Sequence, residues 1–255
     1  MSSSKWEQES NMIKLEAKNI TKSYDDKKIL DGLSLTLHKE EILCVLGASG
    51  AGKTTLFHIL SGLVPPDQGE VFLNGQEITS QTGKVSYMLQ KDLLLPYRTV
   101  LDNVILPLLI RGEKKKDARE KAAVFFEEFG LEGTEKKYPS QLSGGMRQRA
   151  ALLRTYLFSD EVALLDEPFS ALDTITKRKM HNWYLHVMKK IKLSTIMITH
   201  DIDEAILLSN RILIIKGQPG RIVEEIKIDQ NEQRDLSFAL ESSFLEYKKR
   251  ILKIL

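Results

Sequence analysis

Three short strings in this chain carry residue types that chemistry needs close together. The first is Gly47-Ala48-Ser49-Gly50-Ala51-Gly52-Lys53-Thr54, followed by Thr55. It satisfies the pattern G-x-x-x-x-G-K-[ST] at every fixed position. Glycines let successive backbone N–H groups converge on a polyphosphate with no side chain in the way. A helix starting just after them would add its positive N-terminal end. Lys53 would reach the β- and γ-phosphates, and the Thr54 hydroxyl would bind Mg²⁺.

The second string, Val162-Ala163-Leu164-Leu165-Asp166-Glu167-Pro168, is an apolar run ending in adjacent carboxylates. On a strand, neighbours point opposite ways. Asp166 can therefore hold a metal ion while Glu167 orients or deprotonates a water, a role worth roughly 10²–10⁴ in rate. Alone, the pair reads as solvated acids at a strand end; beside a phosphate loop it reads as metal ligand and base. The third string is Leu142-Ser143-Gly144-Gly145-Met146-Arg147-Gln148-Arg149. Ser143 is placed to cap a helix beginning near Gly145, which makes a second anion-ready helix end. One subunit does not need both ends for one nucleotide, so the economical arrangement offers this end to a nucleotide held by another copy. The plainer reading is a capped structural helix.

These strings need rigid elements to position them. Ile42–Leu46, Val162–Leu165, Thr195–Thr199 and Ile212–Ile215 are near-continuous apolar runs of strand length, as parallel strands covered on both faces require. Between them, Lys53–Ser61, Lys116–Phe129, Gly145–Phe158, Asp173–Lys190 and Asp203–Leu208 show helical spacing. The alternation predicts an α/β fold. Two regions depart from it. Residues 13–38 and 69–79 read as antiparallel strands, with turns at Asp31-Gly32 and Asn74-Gly75. Residues 92–158 read as a helical lobe. Residues 1–12 read as a frayed polar tail, and the segment from 231 onward as a helical extension with Phe238, Phe244, Tyr247 and Ile251 at helical spacing. Phe125, Phe126 and Phe129 read as core, and Cys44 as a buried thiol. His181 and His186 are badly spaced for a metal pair on one helix face.

Composition narrows the function. With 255 residues, 42% hydrophobic and 28% charged, the chain can bury a sizeable core. A net charge of +2 provides no bulk attraction to nucleic acid. The longest apolar run, Val104–Ile110, is too short to span a bilayer and contains Pro107. The first ten residues lack an apolar stretch, so no secretory signal is expected. One cysteine suits a reducing compartment, and a cytoplasmic location is expected.

Taken together, the phosphate loop, LSGGMRQR and LLDEPFSALD resemble the ATP-binding subunit of an ABC transporter, in that family's order and spacing. The resemblance implies a P-loop NTPase (RecA-like) core, an N-terminal antiparallel β subdomain and an inserted α-helical subdomain at about 92–158, all within residues 13–230. It implies ATP and Mg²⁺ as ligands, with Thr54, Gln90 and Asp166 toward the metal. Residues 47–55 would cradle the phosphates. Gln90 resembles the Gln-loop residue that senses Mg²⁺ and the attacking water. Ser170-Ala171-Leu172-Asp173 resembles the D-loop. His200 resembles the switch histidine on the γ-phosphate, and Tyr24 the aromatic that stacks on adenine. Ser143, Gly144 and Gly145 would face the nucleotide of a second copy. The implied partners are a homodimeric mate on ATP binding, two transmembrane permease subunits and, indirectly, a substrate-binding protein. The chain would sit on the inner face of the cell membrane.

The segment Leu94-Leu95-Pro96-Tyr97-Arg98-Thr99-Val100 resembles the nitrate, sulfonate and taurine importer ATPases, although Tyr97 stands where those usually carry Trp. Met180–Trp183 and Gly217–Ile222 lean the same way. Importers of thiamine pyrimidine precursors look similar here. The resemblance also makes the Gln90–Asn103 segment the surface that docks the pore subunits. Other readings are the ATPase of another ABC transporter, including an exporter, or a non-transport P-loop ATPase. A GTPase would carry N-K-x-D, which is absent from the sequence.

Overall fold

The strands at Ile42–Gly47, Val162–Asp166 and Ser194–Thr199 are buried at every residue and so need cover on both faces, which this chain supplies from two different sources. The structure, a computed structural model, describes residues 12–159, 161–229 and 237–255. The first source is an antiparallel sheet built from β1 (Ile13–Tyr24), β2 (Lys27–His38), β4 (Gln68–Leu73) and β5 (Gln76–Glu77), in the order β2-β1-β4-β5. The second sheet holds β3 (Ile42–Gly47), β6 (Ser86–Met88), β7 (Val162–Asp166), β8 (Ser194–Thr199), β9 (Arg211–Lys216) and β10 (Arg221–Lys227), in the order β10-β9-β3-β8-β7-β6. Only β10 runs antiparallel to its neighbour.

The two faces of this second sheet can be followed along β3. Leu43 and Val45 point to a core shared with β1, β2 and the helix α1 (Lys53–Leu60). Cys44 and Leu46 point the opposite way, into a core filled by helices. Those helices are α5 (Gly144–Phe158), α6 (Thr174–Ile191) and α7 (Ile202–Leu208), reinforced by residues of α2 (Val100–Val104), α3 (Leu106–Ile110), α4 (Lys115–Ala123) and α8 (Ser242–Ile254). Period-two alternation on one strand thus selects different partners for successive residues.

Two expectations need correction. Asp31-Gly32 is not a hairpin turn. The β1–β2 reversal falls at Asp25-Asp26, where Tyr24 pairs with Lys27 and Asp25 takes a positive φ. Asp31-Gly32 instead lies where the register slips between the Ile20–Leu33 and Lys22–Leu30 pairs, so the same residue types make a bulge. The helix expected over Lys116–Phe129 stops at Ala123. Beyond it Phe125 and Phe126 donate to carbonyls three residues back, which tightens the chain into turns up to Gly130. Asn74-Gly75, by contrast, joins β4 and β5 as a two-residue hairpin. The expected tail falls on residues 1–11, outside the described residues, apart from Met12. Residues 230–236 are likewise outside them; beyond lie a 3₁₀ turn at Phe238–Leu240 and α8, with Phe244 and Ile251 buried.

The segment between β6 and α5 is organised by one buried amide. Asn103 is fully buried; its side-chain N–H groups donate to the carbonyls of Leu95, Arg98 and Thr99, and its oxygen accepts from Leu95 N at 2.6 Å. Paying its desolvation with four bonds, Asn103 fixes the loop that carries Leu94 inward and Tyr97 outward.

Candidate active site

Parallel strands place all their C-terminal ends on one edge, and there the chain leaves β3, β6, β7 and β8 within reach of each other. Gly47 closes β3 so tightly against β9 that a β-carbon would collide with the Ile215 carbonyl. Gly52 precedes α1 at φ 89°, a conformation that side chains resist, and a β-carbon there would strike Leu30. Among the described residues no side chain caps α1, which suits its first-turn N–H groups to an anionic ligand. Lys53 folds back across the loop, its Nζ donating to the Gly47 carbonyl at 2.7 Å and the Ala48 carbonyl at 2.9 Å. Among the described residues it makes no ion pair. Burial pulls its pKa below the ordinary lysine value, with Glu167 and Asp166 pulling the other way. A buried ammonium bonded only to carbonyls suits an anionic ligand.

Asp166 ends β7 and is 8% exposed. Burial raises its pKa, and its hydrogen-bond partner is the Tyr87 hydroxyl, donating at 3.3 Å. A carboxylate removed from water with so little compensation suits a cation. Thr54 lies exposed in the first turn of α1, as the expected second metal ligand. The donor set is therefore oxygen-only, which fits a hard divalent ion such as Mg²⁺.

Glu167 turns away from Asp166 through a positive φ of 46°, and its N–H donates to the Ile198 carbonyl. A left-handed non-glycine residue carries strain of order 1–3 kcal/mol, and here it re-aims a carboxylate. Its Oε1 lies 2.9 Å from His200 Nδ1, and its Oε2 accepts from Gln90 Nε2 at 3.0 Å. Gln90 also donates to Ser170 Oγ at 3.3 Å, and Ser170 Oγ in turn donates to the Glu167 carbonyl. Residues 77 and 33 positions apart in sequence from Glu167 thus bracket one carboxylate. Ala48 and Ser49 line a groove of about 390 Å³ with Gly47, Ala51 and His200.

Other expected site residues lie elsewhere. Ser143 caps α5, accepting from Met146 N at 3.3 Å, with Gly144 and Gly145 in the first turn packed against Leu172 and Met180. None of the three lines that groove among the described residues. Asp173 spends its carboxylate capping α6 through Ile175 and Thr176. Tyr24 stands exposed at the β1–β2 turn with the Lys22 ammonium 5.5 Å from its ring centre. Cys44 is buried, and burial raises its pKa.

Sequence reading passed over Tyr87, Gln218 and Leu255. Tyr87 was hidden in a three-residue strand; its signal is the alternation of Ser86 and Met88 buried on one side with Tyr87 on the other. Gln218 and Leu255 line the phosphate-loop groove from distant segments, and no local pattern announces that.

Comparison with known proteins gives concordant results. A family model described as ABC transporter matches residues 30–170. The formylaminopyrimidine import ATP-binding protein ThiZ of Halalkalibacterium halodurans is 47% identical over 208 residues, which span 82% of this chain and 81% of that protein. The taurine import ATP-binding protein TauB of Escherichia coli (strain K12) is 37% identical over 215 residues, 84% of each chain. Among solved structures, a dimeric bacterial ABC transporter cassette superposes with a TM-score of 0.71 at 28% identity, covering 85% of this chain and 100% of that one.

Proposed function

The chain belongs to the ABC transporter ATP-binding family, and from that premise we propose that it hydrolyses ATP to power an importer for a small nitrogen- or sulfur-bearing solute. Support for the solute class comes from relatives named for formylaminopyrimidine and taurine import. Nitrate, sulfonates, taurine and thiamine pyrimidine precursors span the range. No described helix is long and apolar enough to cross a membrane. In this reading the pore is built by partner subunits.

The observation that carries the catalytic reading is the Glu167 carboxylate held between His200 and Gln90 beside the phosphate loop. Residues Gly47 to Thr55 bind the ATP phosphates through backbone N–H groups, and Lys53 exchanges its carbonyl partners for phosphate oxygens. Thr54, Asp166 and Gln90 would hold Mg²⁺, which when bound would supply charge neutralisation on the phosphate oxygens. Glu167 takes a proton from the attacking water as its oxygen bonds to the γ-phosphorus. The bond to the β-γ bridging oxygen breaks, giving ADP and inorganic phosphate. His200 orients Glu167 and donates toward the γ-phosphate. Tyr24 stacks on adenine.

Ser143, Gly144 and Gly145 start a capped helix away from that groove, so they complete the site of a second copy, with Asp173 at the shared boundary. Two such chains then join two membrane permeases on the inner face of the membrane, supplied by a substrate-binding protein. The solved dimeric cassette supports the homodimer. Sedimentation of Glu167→Gln with and without Mg-ATP tests the assembly. ATP-dependent dimers are expected, and a monomer at saturating ATP and micromolar protein overturns the shared site. Copurification of two multi-span subunits from membranes tests the transport role.

A further inference from the structure

His200 is flanked by Thr199 and Asp201, and both neighbours are tied into one polar cluster behind the catalytic face. Thr199 Oγ1 donates to Glu204 Oε2 at 2.6 Å and accepts from Asp201 N at 3.0 Å. Asp201 Oδ1 caps α7 through Asp203 and Glu204 N–H groups. Glu204 is 2% exposed. Two carboxylates, Asp201 and Glu204, therefore crowd the turn that holds His200.

One cation serves both. Lys177 Nζ lies 2.8 Å from Asp201 Oδ2 and 2.5 Å from Glu204 Oε1. His181, one turn further along α6, brings its Nε2 to 3.4 Å from Glu204 Oε1. Lys177 sits in the first turn of α6, where its N–H donates to the Asp173 carbonyl at 2.8 Å. Its backbone is thus bonded to the Ser170–Asp173 turn, while its side chain grips the His200 turn. Burial opposes the charge on Lys177, but the bonds to Asp201 and Glu204 outweigh it and raise its pKa, so it stays cationic.

We infer that Lys177 is a positioning residue for hydrolysis: it fixes the His200 turn against Glu167 and couples that turn to the Ser170–Asp173 turn. This rests on the reading of Glu167 and His200 as the hydrolytic pair. Without the ammonium, Asp201 and Glu204 repel each other directly. Asp201 is the neighbour of His200, so relief of that repulsion shifts the ring relative to Glu167. A misplacement of about 1 Å can cost roughly 10²-fold in rate with no group lost from the chemistry.

The test is a double-mutant comparison on the full chain, with kcat, KM and nucleotide affinity measured for Lys177→Met, Lys177→Arg, His200→Ala and the Lys177→Met/His200→Ala pair. Residual hydrolysis is followed with radiolabelled ATP. Lys177→Met is expected to lower kcat by about tenfold or more with little change in KM, and Lys177→Arg to restore most of it. Because Lys177 acts through His200, adding Lys177→Met to His200→Ala should cost less than about twofold more. The inference is overturned if Lys177→Met stays within about twofold of wild type, or if it costs more than that in the His200→Ala background. Should Lys177→Met not fold, Lys177→Gln carries the same comparison, since it removes the charge while keeping a polar side chain in the place of the ammonium. Full activity of His200→Ala itself would strike the hydrolytic reading, and this inference with it. Full activity of Lys177→Met beside a dead His200→Ala strikes this inference alone.

Discussion

Replacing Glu167 by glutamine separates chemistry from binding and from folding, because each is affected by a different amount. The side chain keeps its length and its two polar atoms. In the wild type, Oε2 accepts from Gln90 at 3.0 Å and Oε1 lies 2.9 Å from His200 Nδ1. The variant amide meets both partners in only one orientation: its oxygen accepts from Gln90, and its NH₂ donates to His200 Nδ1. That arrangement requires neutral His200 with the proton on Nε2. The network survives with charge-assisted bonds exchanged for neutral ones, at a cost of about 1 kcal/mol to the fold. For a chain of this size that is a fall of about 2–4 °C in Tm. The chemistry loses its base altogether. A positioned base contributes roughly 10²–10⁴ in rate, or about 3–5 kcal/mol on the barrier at 1.36 kcal/mol per decade. Nucleotide affinity should hardly change, because Lys53 and the loop N–H groups are untouched. Phosphate release at saturating Mg-ATP, retention of nucleotide on the protein and a melting curve measure the three together. Turnover within tenfold of wild type refutes the base, and a parallel loss of nucleotide binding refutes the separation of roles.

Lys53→Met should weaken ATP binding by about 10–100-fold, the equivalent of one to two charge-assisted bonds, as read by titration with a fluorescent nucleotide. Tyr97 is 75% exposed, so Tyr97→Glu should leave Tm and the free chain's ATPase activity unchanged while lowering recovery of the pore subunits in a pull-down; wild-type recovery would exclude this surface from docking. Arg211 and Glu41 form an ion pair at 2.8 Å that joins β9 to the start of β3, and both are nearly buried. Arg211→Met removes the cation paired with the buried Glu41, leaving it only its His38 contacts, and should cost about 3 kcal/mol in urea unfolding. In the wild type, burial alone would raise the Glu41 pKa, but the Arg211 bonds hold it below its ordinary value of 4.5. A depressed folded value means the unfolded chain binds the proton first. The stability from this pair is therefore fully present above pH 4.5 and is lost as pH falls through the lowered folded value, which melting curves across that range will show.

Local physics in the sequence was enough to determine the phosphate loop, the strand that feeds it and the helix that follows. Those features depend on neighbours a few residues apart: glycines that permit the turn, an apolar run before it, helical spacing after it. The adjacent pair Asp166 and Glu167 was legible for the same reason. Asp31-Gly32 shows the limit. The dipeptide favours a reversal, yet the cross-strand register of β1 and β2 puts the hairpin at Asp25-Asp26 and turns Asp31-Gly32 into a bulge. Register is a property of two strands, and no window on one of them contains it. The end of α4 at Ala123 is similar, since the aromatic side chains beyond it take turns that bury Phe126 and Phe129 in the helical core.

What tertiary structure alone decided is which side chains share the edge beside the phosphate loop. Gln90, Glu167 and His200 come from three strand ends that only the order β3-β8-β7-β6 brings together. The positive φ of Glu167, the Tyr87 hydroxyl on Asp166 and the grip of Lys177 on the His200 turn follow from that assembly. Each is an interaction between elements whose sequence separation carries no periodic signal. Short-range pattern specifies where a chain can turn, bind phosphate or start a helix. The packing of strand on strand and helix on sheet then decides which of those places face each other, because burial and charge pairing are settled between elements rather than within them.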